Sequence, residues 1–220
     1  MSISDNIQHI QQQISDAASL SGRNSADINL IAVSKRQPSV RLDNALAAGH
    51  RLFGENRVQE AQEHWAHRRA DYPDLRLHLI GALQTNKAAD AVALFDVIET
   101  LDREKLARSL AKEMTKQDKN VPCFIQVNTG DESQKSGVAT PHLADFYAFC
   151  RDECALTIQG LMCIPPVDEP AALHFALLKK HADCLGLKDL SMGMSGDFEK
   201  AIPLGATYVR IGTGVFGARD

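Results

Sequence analysis

Ile28-Asn29-Leu30-Ile31-Ala32-Val33-Ser34-Lys35 is the stretch on which the fold turns. A short continuous apolar run stopped by polar residues reads as a strand buried on both faces, the kind found in parallel sheets covered by helices. Runs of the same type recur, so that strands are expected at 30–33, 51–54, 77–80, 96–99, 123–127, 157–162, 189–191 and 208–211. Amphipathic helical stretches separate them at 40–48, 57–69, 87–93, 103–116, 141–153 and 169–185, with a shorter one at 197–202. Strands alternating with helices make βαβ units and a parallel sheet. Eight units in a chain of 220 residues predict an α/β fold, a single (β/α)8 TIM barrel occupying 1–220 as one domain. Ile3, Ile7, Ile10 and Ile14 lie at helical spacing ahead of the first strand and predict an extra N-terminal helix. The rival is an open doubly wound sheet. Its G-x-G-x-x-G turn does not follow the first strand; Gly212, Gly214 and Gly217 have that spacing, but no βαβ unit can follow them.

A net charge of −4 and a pI near 6.1 give none of the basic footprint of a nucleic-acid binder. The local cluster Arg68-Arg69 reads as a solvated helix face. No run approaches the length of a membrane span, and the polar N-terminus lacks the apolar core of a signal peptide. The five cysteines, 123, 150, 154, 163 and 184, are odd in number and include no C-x-x-C pair. They read as free thiols in a reducing compartment, hence a cytoplasmic protein.

Lys35 falls at the C-terminal end of the first strand, where barrels place their chemistry. Burial there would favour the neutral amine, which can attack an aldehyde. Taken alone, Lys35 reads rather as a lysine leaving the sheet for solvent, since lysines are almost never fully buried unless paired. Two glycine turns alter the balance. Met192-Gly193-Met194-Ser195-Gly196 follows the seventh strand, and Gly212-Thr213-Gly214 follows the eighth. Loops at those two places commonly form a phosphate site in barrels, with backbone N–H groups and a hydroxyl as donors. A reactive amine facing a phosphate cradle suits a phosphorylated aldehyde held as a Schiff base, and pyridoxal 5'-phosphate (PLP) is the candidate.

Other polar residues keep two readings. Arg210 ends the eighth strand and offers donors to a carboxylate, a phosphate or a ring nitrogen, or forms a structural ion pair. Asn56 follows the second strand and suits a plain N-cap for 57–69. Thr85 or Asn86 could cap the next helix, and Lys87 could oppose an acidic neighbour. The polar loop 133–137 lies near the mouth, while Met162 and Cys163 read as packing residues. No H-E-x-x-H, Walker loop or Ser-His-Asp order is present, and no metal site is expected.

The combination resembles the YggS/PROSC family of PLP-binding proteins, also called PLP homeostasis proteins. The resemblance is carried by Ala32-Val33-Ser34-Lys35, Phe53-Gly54-Glu55-Asn56-Arg57-Val58-Gln59-Glu60 and His78-Leu79-Ile80-Gly81-Ala82-Leu83-Gln84-Thr85-Asn86-Lys87. Further pieces are Gln126-Val127-Asn128, Lys135-Ser136-Gly137, Gly160-Leu161-Met162, Leu190-Ser191-Met192-Gly193-Met194-Ser195-Gly196-Asp197 and Val209-Arg210-Ile211-Gly212-Thr213. It implies a fold-type-III barrel like the N-terminal domain of alanine racemase. By position it makes Lys35 the Schiff-base lysine and puts Ser195, Gly212 and Thr213 on the phosphate. Asn56 becomes a cofactor contact and Arg210 the partner of the pyridine nitrogen. Arg36 and Ala82 depart from the family's usual Thr and Pro. A guanidinium beside the pyridine nitrogen disfavours ring protonation and weakens the ring as an electron sink.

The function implied is a non-catalytic PLP carrier in vitamin B6 homeostasis, with apo PLP-dependent enzymes as possible recipients. A PLP-dependent racemase is the alternative. It would need a second, β-rich domain supplying a tyrosine, for which the chain to Asp220 leaves no room, and Tyr72, Tyr147 and Tyr208 fall in or beside barrel elements. The lack of that domain points to a monomer. A class I aldolase, colourless and acting on a sugar phosphate, is a third reading.

Overall fold

Eight parallel strands close on themselves in the computed structural model, which describes residues 2–132 and 134–217. Ser133 of the polar loop and the chain end at Asp220 lie outside the described residues. The strands are β1 (Asn29–Val33), β2 (Leu52–Glu55), β3 (Arg76–Leu79), β4 (Val97–Leu101), β5 (Cys123–Asn128), β6 (Val138–Ala139), β7 (Ile158–Met162), β8 (Asp189–Met194) and β9 (Tyr208–Ile211). All but β6 form the barrel, in the order β1-β2-β3-β4-β5-β7-β8-β9. Leu30 opposite Val209 seals β9 to β1, and Ile98 opposite Cys123 joins β4 to β5. The two-residue β6, which no apolar run announces, extends β5 beyond the barrel rim through Val127 and Val138.

Nine α-helices lie among the described residues: α1 (Ile3–Leu20), α2 (Ser39–Ala47), α3 (Val58–Trp65), α4 (Ala88–Leu94), α5 (Glu104–Gln117), α6 (Leu143–Ala148), α7 (Ala171–Leu185), α8 (Phe198–Ala201) and α9 (Thr213–Phe216). Every expected strand and helix has its counterpart, with ends shifted in all but the strand 208–211. The helices expected at 57–69 and 141–153 fall furthest short of their amphipathic patterns. Expected helix 57–69 stops at Trp65, whose carbonyl accepts from both Arg68 N–H and Arg69 N–H and tightens the chain into turns. Expected helix 141–153 begins as a 3-10 turn and ends as a π-turn over Phe149–Glu153. The Arg68-Arg69 cluster is not a solvated face. Arg68 is buried and pairs with Asp43 at 2.7 Å, and Arg69 pairs with Asp96 at 2.7 Å.

The main core fills the space between the strands and the helices, with Phe53, Trp65, Leu77, Leu106 and Phe175 all buried. The lumen is layered because side chains two apart on a strand share a face. Val97, Phe124 and Met162 form an apolar layer against Tyr208. One step along those strands the lumen turns polar, with Glu99, Gln126 and Arg210 buried.

α1 packs across α2, α8 and α9, and so backs the two short helices that follow β8 and β9. Ser2 and Asp5 close a capping box at its start. Asn6 donates to the Val215 carbonyl at 2.9 Å, and Arg23 to the Ile202 and Ala206 carbonyls at 2.5 and 2.8 Å. Ile7, Ile10 and Ile14 are buried beneath it. Ile10→Ala leaves a void against Gly214 and is expected to cost about 2–5 kcal/mol of unfolding free energy, read as a lower urea midpoint with an unchanged slope.

Candidate functional site

The βα turn after β1 carries Lys35. Ser34, just past the strand, is buried, Lys35 is half-buried, and Arg36 turns the chain at a positive φ of 57°. After β2 comes Asn56, half-buried, whose backbone lies against Gly81 of the β3 loop. A Cβ at Gly81 would stand 2.3 Å from the Asn56 carbonyl oxygen, so only glycine lets the two loops meet. Asn56 is not the cap of α3: Arg57 occupies that position, without a side-chain bond. Thr85 and Asn86 do not cap either, and Lys87 faces Asp90 at 3.6 Å, the acidic neighbour that the sequence suggests.

After β8, the chain bulges. The register with β9 shifts between Ser191 and Met194, and Gly193 sits there with φ of 90°. Asp197 accepts the Met194 N–H at 2.6 Å, which ties the turn and leaves Ser195 exposed at its tip. After β9, Gly212 and Thr213 open the single turn of α9. Its first N–H groups lack intrahelical acceptors by construction.

These loops converge. Lys35, Asn56, Ser195, Arg210, Gly212 and Thr213 line one cavity of about 190 Å³, together with Val33, Ile80, Ile164 and Met194. Its lining combines hydroxyl and backbone groups with aliphatic side chains, and Arg210 is buried. Arg210 Nη1 donates to Ser191 Oγ at 2.7 Å and Nη2 to the Cys163 carbonyl at 2.8 Å. Ser191 Oγ donates to Glu99 Oε2 at 2.5 Å, and Glu99 Oε1 meets His78 Nδ1 at 2.6 Å. The guanidinium is thereby fixed at the back of the cavity, with its counter-charge one hydroxyl away. The chain spans the lumen from β3 and β4 to β8 and β9. Cys163 is inert: burial pushes its thiol up to about 12 even with Arg210 nearby. Tyr208, one layer below Arg210, packs on His78 and Phe124, and burial raises its phenol.

A second polar knot lies behind Lys35. Glu55 is fully buried, and its Oε1 accepts from Ser34 Oγ at 2.6 Å, His64 Nδ1 at 2.8 Å and Trp65 Nε1 at 2.9 Å. Glu60 accepts the Arg36 N–H. Glu55, Glu60 and His64 bring their ligand atoms within 4.8 Å of one another, a spacing a metal could use. Glu55 Oε1 and Glu60 Oε1 are instead engaged by protein donors, while Glu55 Oε2 is buried without a partner among the described residues.

The model of the alanine racemase N-terminal domain family matches residues 3–220. A pyridoxal phosphate homeostasis protein of Vibrio cholerae is 41% identical over 229 residues, covering 100% of this chain and 97% of its own. The chain belongs to the pyridoxal phosphate homeostasis family. PipY of Synechococcus elongatus, in its structure with PLP bound, is 37% identical and superposes with a TM-score of 0.81 over 93% of this chain and 100% of its own. An alanine racemase of Clostridium difficile, 13% identical, has a TM-score of 0.74 over 98% of this chain and 57% of its own, which establishes a shared barrel.

In this member of the pyridoxal phosphate homeostasis family, the sequence motifs assign no role to the polar residues behind the cavity: Glu99 lies outside them, and His78 and Ser191 stand in them unassigned. Glu99 and Ser191 interrupt the apolar runs Val97-Ile98-Glu99-Thr100-Leu101 and Leu190-Ser191-Met192. A carboxylate inside a barrel strand must have a buried partner, and that was the available signal. His64 gives none: it sits on an ordinary amphipathic helix, and only the fold turns it toward Glu55.

Proposed function

We propose that the chain binds PLP through Lys35 and serves in its homeostasis without turning over a substrate of its own. The carrying observation is one cavity shared by six residues, five from the loops after β1, β2, β8 and β9 and Arg210 from β9 itself. Its lining fits the group: an amine, aliphatic walls for a ring, hydroxyl and backbone donors for an anion, and a buried cation. PLP supplies an aldehyde that condenses with a primary amine, with loss of water, to a C=N bond. Lys35 provides that amine from a turn held on both sides. Ser195, Gly212 and Thr213 orient the phosphate, and Asn56 borders it from β2. Arg210, fixed by Ser191 and the Cys163 carbonyl, disfavours a proton on the ring nitrogen and so restrains carbanion chemistry. Fold similarity to a racemase brings no racemase reaction with it.

The whole of 1–220 acts as one domain and as a monomer. Five free cysteines, four of them buried, suit a reducing cytoplasm. No helix among the described residues is long and apolar enough to cross a membrane. Apo PLP-dependent enzymes are the recipients.

The purified protein is expected to be yellow, with borohydride fixing the PLP mass on the Lys35 peptide. The loaded protein should activate an apo PLP enzyme while leaving the enantiomers of free amino acids unchanged. Racemisation at enzyme-like rates would overturn the non-catalytic part. A colourless protein with no fixed mass would overturn the whole.

A further inference from the structure

We propose that Glu55 is the positioning residue of the Lys35 turn, and that the charge on His64 sets how firmly that turn is held. This rests on the reading of Lys35 as the cofactor-bearing residue.

The residues on either side of Lys35 each bond to a carboxylate of the next βα unit. Ser34 donates its hydroxyl to Glu55 at 2.6 Å and its N–H to the Gly54 carbonyl at 3.0 Å. Arg36, at φ 57°, donates its N–H to Glu60. A non-glycine residue at positive φ is strained by about 1–2 kcal/mol, and it persists only where neighbours hold it. The turn is thus pinned before and after the lysine, and both pins lie on the segment running from β2 into α3.

Glu55 is costly where it stands. It is fully buried, three donors converge on Oε1, and Oε2 is buried without a partner among the described residues. A buried carboxylate needs a counter-charge as well as hydrogen bonds. Ser34 and Trp65 are neutral, so among these donors only His64 can bring one. The groups facing His64 are Glu55 from β2, Glu60 from its own helix, and Arg68 just beyond that helix. Arg68 donates to the His64 carbonyl and is itself answered by Asp43 of α2 at 2.7 Å.

The His64 imidazolium is held above its ordinary range, chiefly by its bond to Glu55, with burial and Arg68 opposing and Glu60 helping. A raised value means that the stabilisation is complete below the ordinary histidine value of about 6.5 and is lost as pH rises through the raised one. Neutral His64 can still donate from Nδ1 to the carboxylate, but the ion pair becomes an ion–neutral bond, and the buried charge of Glu55 is left with no counter-charge among its donors. The turn then loosens and presents the amine less often.

The test compares wild type, His64→Gln, Glu55→Gln and Lys35→Ala, with PLP itself as the probe. Gln at 64 keeps a donor and removes the charge. The PLP dissociation constant, followed by visible absorbance, should be about tenfold weaker for His64→Gln than for wild type near pH 6, and the two should converge near pH 9. Taking the ratio at each pH cancels the titration of Lys35 and of the cofactor. In the cofactor-free proteins, amide hydrogen exchange at Ser34 and Arg36 should be about tenfold faster in Glu55→Gln than in wild type. A ratio that does not change with pH, or unchanged exchange, overturns the proposal. Should Glu55→Gln fail to fold, His64→Gln decides alone. A PLP mass fixed on Lys35 in every protein but Lys35→Ala, combined with a flat ratio, sinks this inference and spares the functional reading. Absence of that mass in wild type sinks the functional reading, and the exchange rates still judge the positioning role.

Discussion

Lys35→Ala protein is expected to leave purification colourless and to carry no borohydride-fixed PLP, while unfolding at nearly the wild-type urea concentration. The two halves of that result follow from different facts. The lysine supplies the primary amine of the cavity, and alanine cannot form the C=N bond. The side chain is half-buried in a turn outside the packed core, so truncating it is expected to cost about 1 kcal/mol or less. Ser34 and Arg36, which shape the turn, bond to Glu55 and Glu60 whatever lies between them. Lys35→Arg sharpens the experiment. Its guanidinium preserves the positive charge and most of the length, yet it stays protonated and is no nucleophile. Both variants should therefore lose the adduct, and any residual PLP should wash away with the phosphate grip alone. A reducible adduct surviving in Lys35→Ala would move the covalent link to another amine and undo the assignment.

Gly193→Ala is expected to destabilise the protein by about 2–5 kcal/mol, the sum of a positive φ denied to alanine and a collision. Gly193 has φ of 90°, and a Cβ there would lie 2.7 Å from the Ala201 Cβ and 2.9 Å from the Phe198 Cα. Both neighbours belong to α8, the helix that begins just after Ser195, so relief of the clash must shift the turn that carries Ser195. The urea midpoint should fall, and PLP should bind more weakly in whatever fraction folds. Gly196, three residues on in the same turn, is the control: an added Cβ meets nothing within 4 Å. Gly196→Ala should change the unfolding free energy by no more than about 1 kcal/mol. Equal effects at the two glycines would mean that the bulge, and with it the account of how Ser195 is placed, is wrong.

How much of this was legible beforehand depended on whether the cause was local. Strand 208–211 was bounded correctly because its apolar run is flanked by Thr207 and Gly212. Lys35, Ser195 and Thr213 could be singled out because amines, hydroxyls and glycines at strand ends have few other reasons to cluster. Arg68 was misread because its partner Asp43 lies on α2, a pairing that no helical periodicity encodes. The early end of α3 escaped for the same reason: the tightening turns at Trp65 are held by Arg68 and Arg69, whose acceptors are remote. Asn56 looked like a cap because caps and βα-loop ligands occupy the same place in a chain. Arg57 at the cap of α3, with Gly81 against the Asn56 backbone from the next loop, removes the cap reading only in three dimensions.

The polar crossbar of His78, Glu99, Ser191 and Arg210 ties opposite staves of the barrel together. Pigment in the loaded protein would then be a gauge of assembly. A defect in the wall made by β3 and β4, remote from the lysine, would reach the chromophore as a change of hue before the molecule came apart.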